Sequence, residues 1–326
     1  MAAINATSSF QIQHFLLICF PSIQTWQHWL SIPLALFFSL AIGANITLLM
    51  IITRDQNLHK PMYHFLGFLA ILDLILCIST TPKILGILWF DLRTIDLPAC
   101  FLQMFLMNCF LSMQSATFLF MAFDRYMAIC NPLRYSSVIN SRFVGKVLVF
   151  ILIRNIVLCL PYPALAARLQ YCSQSSVKHC VCTNVAVTSL SCDDARLNKI
   201  YQLVVGFGLL GSDFLLICLS YFMILREVVN LPGERAAAKA FGTCTPHLIL
   251  ISFFYTILLV WIFTTKMEEL ISPDAPILLN VLHLLVPPAM NPVVYSMKTK
   301  EIKHSIMKLM RRRNTHAKRV KQQLSG

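Results

Sequence analysis

WLSIPLALFFSLAIGANITLLMII, residues Trp29 to Ile52, contains no Asp, Glu, Lys or Arg. A helix rises about 1.5 Å per residue and a bilayer's hydrocarbon core is about 30 Å thick, so about 20 apolar residues suffice to span it. Six more stretches qualify: 62–89, 100–123, 147–167, 200–225, 240–265 and 275–297. They hold only Asp73, Lys83, Arg154 and Asp213 as charges. With no water in lipid to satisfy the backbone, each must be a helix. The expected fold is all-α: a seven-transmembrane helix bundle over 29–297, an N-terminal segment 1–28, and a tail 298–326. The composition agrees, with 57% hydrophobic and 13% charged residues in 326, against about 25% charged in soluble domains.

The net charge of +13 suggests nucleic acid only if spread over a soluble surface, and it is not. If the first helix runs inward, the inner loops and tail hold 19 of the 27 basic residues and 5 of the 14 acidic ones, while the outer loops hold 6 and 7. This is the positive-inside pattern and puts the N-terminus outside. Asn5-Ala6-Thr7 then forms a glycosylation acceptor at Asn5. The leader has no basic start, so the first helix is expected to act as signal anchor rather than a cleaved peptide. Of twelve cysteines, Cys19, Cys77, Cys109, Cys130, Cys159, Cys218 and Cys244 read as small hydrophobes in or near apolar segments. Cys100, Cys172, Cys180, Cys182 and Cys192 fall on the outer side, where disulfides form. Neither a metal site nor a cofactor is expected from their spacing.

Five motifs then stand in order: LHKPMYHFL (Leu58 to Leu66), MAFDRYMAIC (Met121 to Cys130), SYFMIL (Ser220 to Leu225), KAFGTCTPHL (Lys239 to Leu248) and PPAMNPVVYSMKTKEI (Pro287 to Ile302). From about Leu16 to Lys303 the chain resembles the olfactory receptor family of rhodopsin-like G-protein-coupled receptors. Arg154, Pro161-Tyr162-Pro163, Arg168-Leu169, Asp213 and the long second outer loop are similar to its class I, fish-like branch. The resemblance implies a small-molecule odorant as ligand, a stimulatory heterotrimeric G protein as partner, cyclic AMP as output, and plasma-membrane location in sensory cilia. It also implies the disulfides Cys100–Cys182 and Cys172–Cys192, leaving Cys180 free.

Asp124-Arg125-Tyr126 sits where helix 3 meets the inner side, and an Arg there can exchange its neighbouring carboxylate for a partner's acceptors. The resemblance implies that Arg125, Tyr221 and Tyr295 form the face that opens for the G protein, with Asn291-Pro292 in helix 7. Asp73 is an intramembrane carboxylate and reads as functional; its expected partners are Asn45, Asn291 and water. Gln114 stands where relatives usually carry an acid, which removes a charge that a sodium site would use. Helix 6 carries Phe254-Tyr255-Thr256, the family's counterpart of an aromatic toggle, followed by Ile257 in place of the usual proline. Pro287, Pro288 and Pro292 predict a locally broken helix 7, with Asn291 capping freed carbonyls.

Helical spacing places Met107, Asn108, Leu111, Ser112 and Ser115 on one face of helix 3, and Tyr255, Leu258, Leu259 and Ile262 on one face of helix 6. With Val205 from helix 5 they make the expected ligand pocket, mostly apolar with a few polar groups. Lys266 stands one turn beyond Ile262, where class I relatives often carry a base, and is expected to meet an acidic or strongly polar ligand. In the tail, Ile302, Ile306, Leu309 and Met310 at helical spacing among lysines predict an amphipathic helix on membrane lipid, followed by Arg311-Arg312-Arg313.

Two other readings remain at this point. A transporter would also be polytopic, but internal repeats are not found. A receptor of the same family serving outside olfaction has the same sequence signature. Phosphate loops, nucleophile elbows and zinc-binding helices are missing from the sequence, so the chain is not expected to be an enzyme.

Overall fold

The computed structural model describes residues 13–22, 26–171, 176–230, 234–267, 271–299 and 301–308. Its first spans are α1 (Gln27–Arg54), α2 (Pro61–Phe90) and α3 (Leu97–Cys130), followed by the short α4 (Pro132–Val138). The fourth span is α5 (Ser141–Cys159) continued by α6 (Pro161–Ala166), and the short α7 (Asn184–Thr188) lies in the loop beyond. The fifth is α8 (Arg196–Gly206), which passes through a wider π-turn at Phe207–Gly211 into α9 (Ser212–Val229). Then come α10 (Glu234–Lys266), α11 (Asp274–Lys298) and a helix over 301–308, α12. Seven of these helical units are long and apolar enough to cross a membrane.

The helices start where the chain rules require. Proline occupies the first turn of α2, α3, α4 and α6, where its missing N–H costs nothing. Asn140 caps α5 by accepting the Phe143 N–H at 3.0 Å. α2 stops at Asp91, whose φ of 55° is left-handed, and the Lys83 ammonium folds over that end onto the Leu92 and Thr94 carbonyls. α3 is the central post, packed on α2, α5 and α9 and touching α10, while α1 packs on α2 and α11. Its Met104, Met113, Phe118 and Met121 are buried, whereas Leu36 and Leu40 of α1 face outward. An apolar outer face suits hydrocarbon and would aggregate in water.

One end of the bundle is closed by a sheet the sequence reading did not expect. β1 (His14–Leu17) lies between β2 (Thr94–Asp96), antiparallel to it, and β3 (Ser176–Val177), parallel to it. Phe15 and Leu17 are buried while His14 and Leu16 are exposed, the period of two that a strand imposes. Phe15 meets Tyr171 edge-to-face at 5.1 Å, and the Tyr171 hydroxyl donates to the Ala166 carbonyl at 2.8 Å. Burial pushes that phenol up to about 12 and the nearby His179 imidazole down to about 4, so both are neutral at ordinary pH.

The sheet register explains a correction. Cys180, expected to be free, and Cys19, read as a buried hydrophobe, are joined to each other with Cα atoms 4.6 Å apart. Parallel pairing sets Leu17 beside Val177, and the Ile18 N–H reaches the Val177 carbonyl at 2.8 Å. Two residues past Leu17 and three past Val177, the thiols meet. Cys100 is bonded to Cys182, and Gln103 braces that bridge by accepting the Cys182 N–H at 3.0 Å. Cys192 is disulfide-bonded, and Cys172, its expected partner, lies outside the described residues, as does Asn5.

At the opposite end, α12 turns away after Thr299 and buries Ile302 and Ser305, leaving Glu301, Lys303 and His304 exposed. Ser305 donates to the carboxylate of Asp55 in the loop after α1. That bond first, and the Asn57 N–H second, hold the Asp55 carboxyl below its usual range. Leu309, Met310 and the arginine run lie outside the described residues.

Candidate functional site

The end opposite the sheet carries a latch. Asp124 is fully buried, and both its oxygens are taken: Arg125 Nε donates to Oδ2 at 3.0 Å and the Tyr135 hydroxyl of α4 donates to Oδ1 at 2.8 Å. The same contact keeps the Tyr135 phenol raised, after burial as the larger cause. Tyr126 points elsewhere, onto the Phe123 ring at 6.3 Å. Tyr295 is buried and hydrogen-bonds His247 Nδ1 at 3.1 Å, while the buried Tyr221 hydroxyl has no partner among the described residues. Neither tyrosine is bonded to Arg125 in this arrangement. Sequence reasoning missed Tyr135 and His247; His247 lay in a quoted motif without a role.

Halfway along the bundle, Asp73 of α2 accepts from Gln114 Nε2 at 2.6 Å and from Asn291 Nδ2 at 2.8 Å. Its expected neighbour Asn45 does something else. Pro292 has no N–H, so the Pro288 carbonyl four residues earlier loses its helical donor; Asn45 Nδ2 supplies one from α1 at 2.8 Å. The expected capping by Asn291 is therefore corrected, because its amide is committed to Asp73. α11 also runs unbroken through Pro287, Pro288 and Pro292, and at Pro288 the neighbouring α1 repairs the backbone.

A second carboxylate, Asp213 of α9, is held through the very next residue of α3. Arg154 Nη1 of α5 donates to Oδ1 at 2.9 Å and the Ser115 hydroxyl of α3 donates to Oδ2 at 3.0 Å. Ser115 Oγ also lies 2.8 Å from the Tyr255 hydroxyl of α10. A serine has one proton, and it goes to the carboxylate, so Tyr255 donates to Ser115. The result is a directed chain across four spans: Tyr255 to Ser115 to Asp213, with Arg154 closing it. The sequence marks Arg154 and Asp213 as class I features without pairing them.

The expected pocket residues divide. Met107, Ser112, Ser115, Tyr255 and Leu258 are buried, and Asn108, Leu111 and Ile262 are half-buried, on the facing sides of α3 and α10. Asn108 and Ser112 turn back on their own helix, to the Met104 and Asn108 carbonyls at 2.8 Å each. Leu259 is corrected: it is 54% exposed on the outer surface, 100° round from Leu258. Val205 is corrected too, since it lines a groove on the α5 side with Arg154. Lys266 ends α10, and its side chain lies outside the described residues. Polar atoms that the sequence reading overlooked belong to α10 and α11: Trp261 Nε1, Asn280 Nδ2 and both ring nitrogens of His283 are buried without partners among the described residues. Phe254 packs on the His283 ring at 5.3 Å. Among the described residues no group of three metal-ligating side chains occurs.

Comparison with known proteins agrees with this geometry. The squid rhodopsin crystal structure superposes with a TM-score of 0.73 over 90% of this chain and 89% of that one, at 17% identity, which establishes the seven-helix fold. A family model described as olfactory receptor matches residues 34–313. Human olfactory receptor 56A5 is 55% identical over 308 residues, covering 94% of this chain and 98% of the relative. Human olfactory receptor 56A4 is 53% identical over 312 residues, covering 96% and 100%. Human olfactory receptor 52K1 is 40% identical over 300 residues, covering 92% and 96%. The chain therefore belongs to the class I branch of the olfactory receptor family, non-enzymatic, seven-span membrane receptors among the rhodopsin-like G-protein-coupled receptors.

Proposed function

We propose that this receptor sits in the plasma membrane of olfactory cilia with its N-terminus outside, binds a small acidic or polar volatile in the half of the bundle next to the sheet, and activates a stimulatory G protein to raise cyclic AMP. The charge asymmetry supports the orientation, since the basic loops and tail lie at the Arg125 end. The observation that carries the reading is the chain from Tyr255 through Ser115 to Asp213 and Arg154. It ties α10 to α3, α9 and α5 directly beneath the facing stripes of Met107, Asn108, Leu111, Leu258 and Ile262. A ligand pressing on α10 there must strain or break the bond between Tyr255 and Ser115. α10 can then move relative to α3, and the Arg125 end is free to open. Opening would let Arg125 leave Asp124 for acceptors on the G protein, with Tyr221 and Tyr295 as neighbours in the open face.

The Trp261, Asn280 and His283 atoms, unpartnered among the described residues, support a ligand with hydrogen-bonding groups, because leaving a buried polar atom unsatisfied costs about 1–3 kcal/mol. Lys266 is proposed as the outer contact for a carboxylate. The test is cyclic AMP in cells displaying the chain with a stimulatory G protein, across short acids, alcohols, aldehydes, ketones and esters. A dose-dependent rise that Arg125→Ala abolishes, with display retained, is expected. Silence across the panel despite confirmed display overturns the coupling. Lys266→Ala should weaken acids by about tenfold, one strong charged contact, and spare neutral ligands; equal potency toward acids removes the acidic-ligand reading.

A further inference from the structure

The face of the bundle between α3, α5 and the α8–α9 span carries a groove of about 600 Å³, within the range of small-molecule sites. Its walls include Phe120, Phe150, Leu158, Val204 and Leu216, and its floor is the Arg154–Asp213 pair. The π-turn at Phe207–Gly211 forms one rim, and a Cβ added at Gly208 would meet nothing within 4 Å. Phe150, Val204 and Leu216 are exposed on the surface that faces hydrocarbon.

The floor is unfinished. A guanidinium has five N–H donors. Arg154 uses Nη1 for Asp213 and makes no other hydrogen bond among the described residues, and its side chain is 17% exposed into the groove. Asp213 takes only this one bond from it, its other oxygen Oδ2 being held by Ser115. Donors that face lipid without an acceptor are costly, so the site calls for an acceptor from outside the chain.

Depth and charge select that acceptor. Arg154 is the fourteenth residue of the 26-residue span Ser141–Ala166, so it lies near the bilayer midplane. A phospholipid headgroup would have to sink about 15 Å to reach it. The Arg154–Asp213 pair is already neutral, so a carboxylate would bring an unbalanced charge into hydrocarbon. A neutral carbonyl on a hydrocarbon chain supplies an acceptor without charge and fills apolar walls.

We propose that this groove is a membrane-facing binding site for neutral lipophilic carbonyl compounds, ketones or esters drawn from the bilayer, whose oxygen accepts from the Arg154 guanidinium. It lies on a different face from the facing stripes of α3 and α10 and does not depend on which odorant binds there.

The full chain in phosphatidylcholine nanodiscs would be irradiated with three probes of equal chain length bearing a diazirine and an alkyne: a 2-tridecanone analogue, the matching hydrocarbon, and the matching carboxylic acid. Labelled peptides would then be mapped by mass spectrometry. The ketone probe is expected to label the 150–158 and 204–216 segments about tenfold more than the hydrocarbon does, the gain of one charge-assisted hydrogen bond. Untagged 2-tridecanone should compete, and Gly208→Trp or Val204→Trp, each filling the groove at an outward position, should remove the excess while thermal stability is kept. Equal labelling by ketone and hydrocarbon, labelling no denser than at Leu36 and Leu40 of α1, or stronger labelling by the acid would each overturn the proposal. The readout needs no signalling, so a silent receptor leaves it intact.

Discussion

Asp73 and Asp213 are both carboxylates buried among membrane helices, yet they are held by opposite means. Asp73 receives two neutral amides, Gln114 and Asn291, from α3 and α11. Asp213 receives a cation, Arg154, and a hydroxyl, Ser115. An amide network can rearrange at small cost, because Gln114 has an unused Oε1 that can turn to meet a donor. An ion pair in low dielectric cannot lose one member without leaving a bare charge. The Asp73 layer therefore suits a joint that must slide, and the Asp213 layer suits a joint that must hold until it is broken at its hydroxyl end.

The largest expected effect is that of Arg154→Ala, which strands Asp213 and should lower stability by about 3–5 kcal/mol, read as early thermal unfolding in nanodiscs and poor surface display. Removing both charges with Arg154→Met and Asp213→Leu should recover much of the loss. A single variant that unfolds like wild type would erase the contrast between the two layers. Next comes Ser115→Ala, which strips Asp213 Oδ2 and the Tyr255 hydroxyl of their common partner and should cost about 1–3 kcal/mol in the same assay. Asp73→Asn should cost only about 1 kcal/mol, since one acceptor oxygen remains and Gln114 can turn; a loss as large as that of Arg154→Ala would mean the amide layer is no softer than the ionic one. Tyr255→Phe should be mildest, at about 0.5–1 kcal/mol of stability, but it should raise basal cyclic AMP if the hydroxyl chain restrains α10.

The seven spans were readable because lipid imposes a length and a composition on every one of them, and periodicity needs nothing else. The five motifs placed Asp124, Arg125, Asn291 and Tyr295 on the correct helices for the same reason. Contacts between spans were harder. Arg154 and Asp213 are 59 residues apart, and a charge in a helix does not announce which neighbour it faces. Asn45 was expected to partner Asp73, but a proline four residues beyond Pro288 gave it a different partner. Leu259 went wrong because a stripe read at i, i+3, i+4 and i+7 spans more than one face at the edge of a bundle. The four-residue strand His14–Leu17 was too short to stand out, and only its alternation and the nearby Cys19 could have revealed it.

That strand has a consequence for biosynthesis. β1 is the middle strand of its sheet, but β2 lies some 80 residues later in the chain and β3 some 160 later, while Cys19 and Cys180 are 161 apart. At about 5–20 residues per second, β1 waits roughly ten to thirty seconds after its own synthesis before β3 exists. Cys100 is made first and offers the waiting Cys19 a thiol before Cys180 and Cys182 arrive to claim them both. The order of synthesis thus leaves a Cys19–Cys100 bond open to the growing chain, and the native pairs form only where that bond is avoided or exchanged.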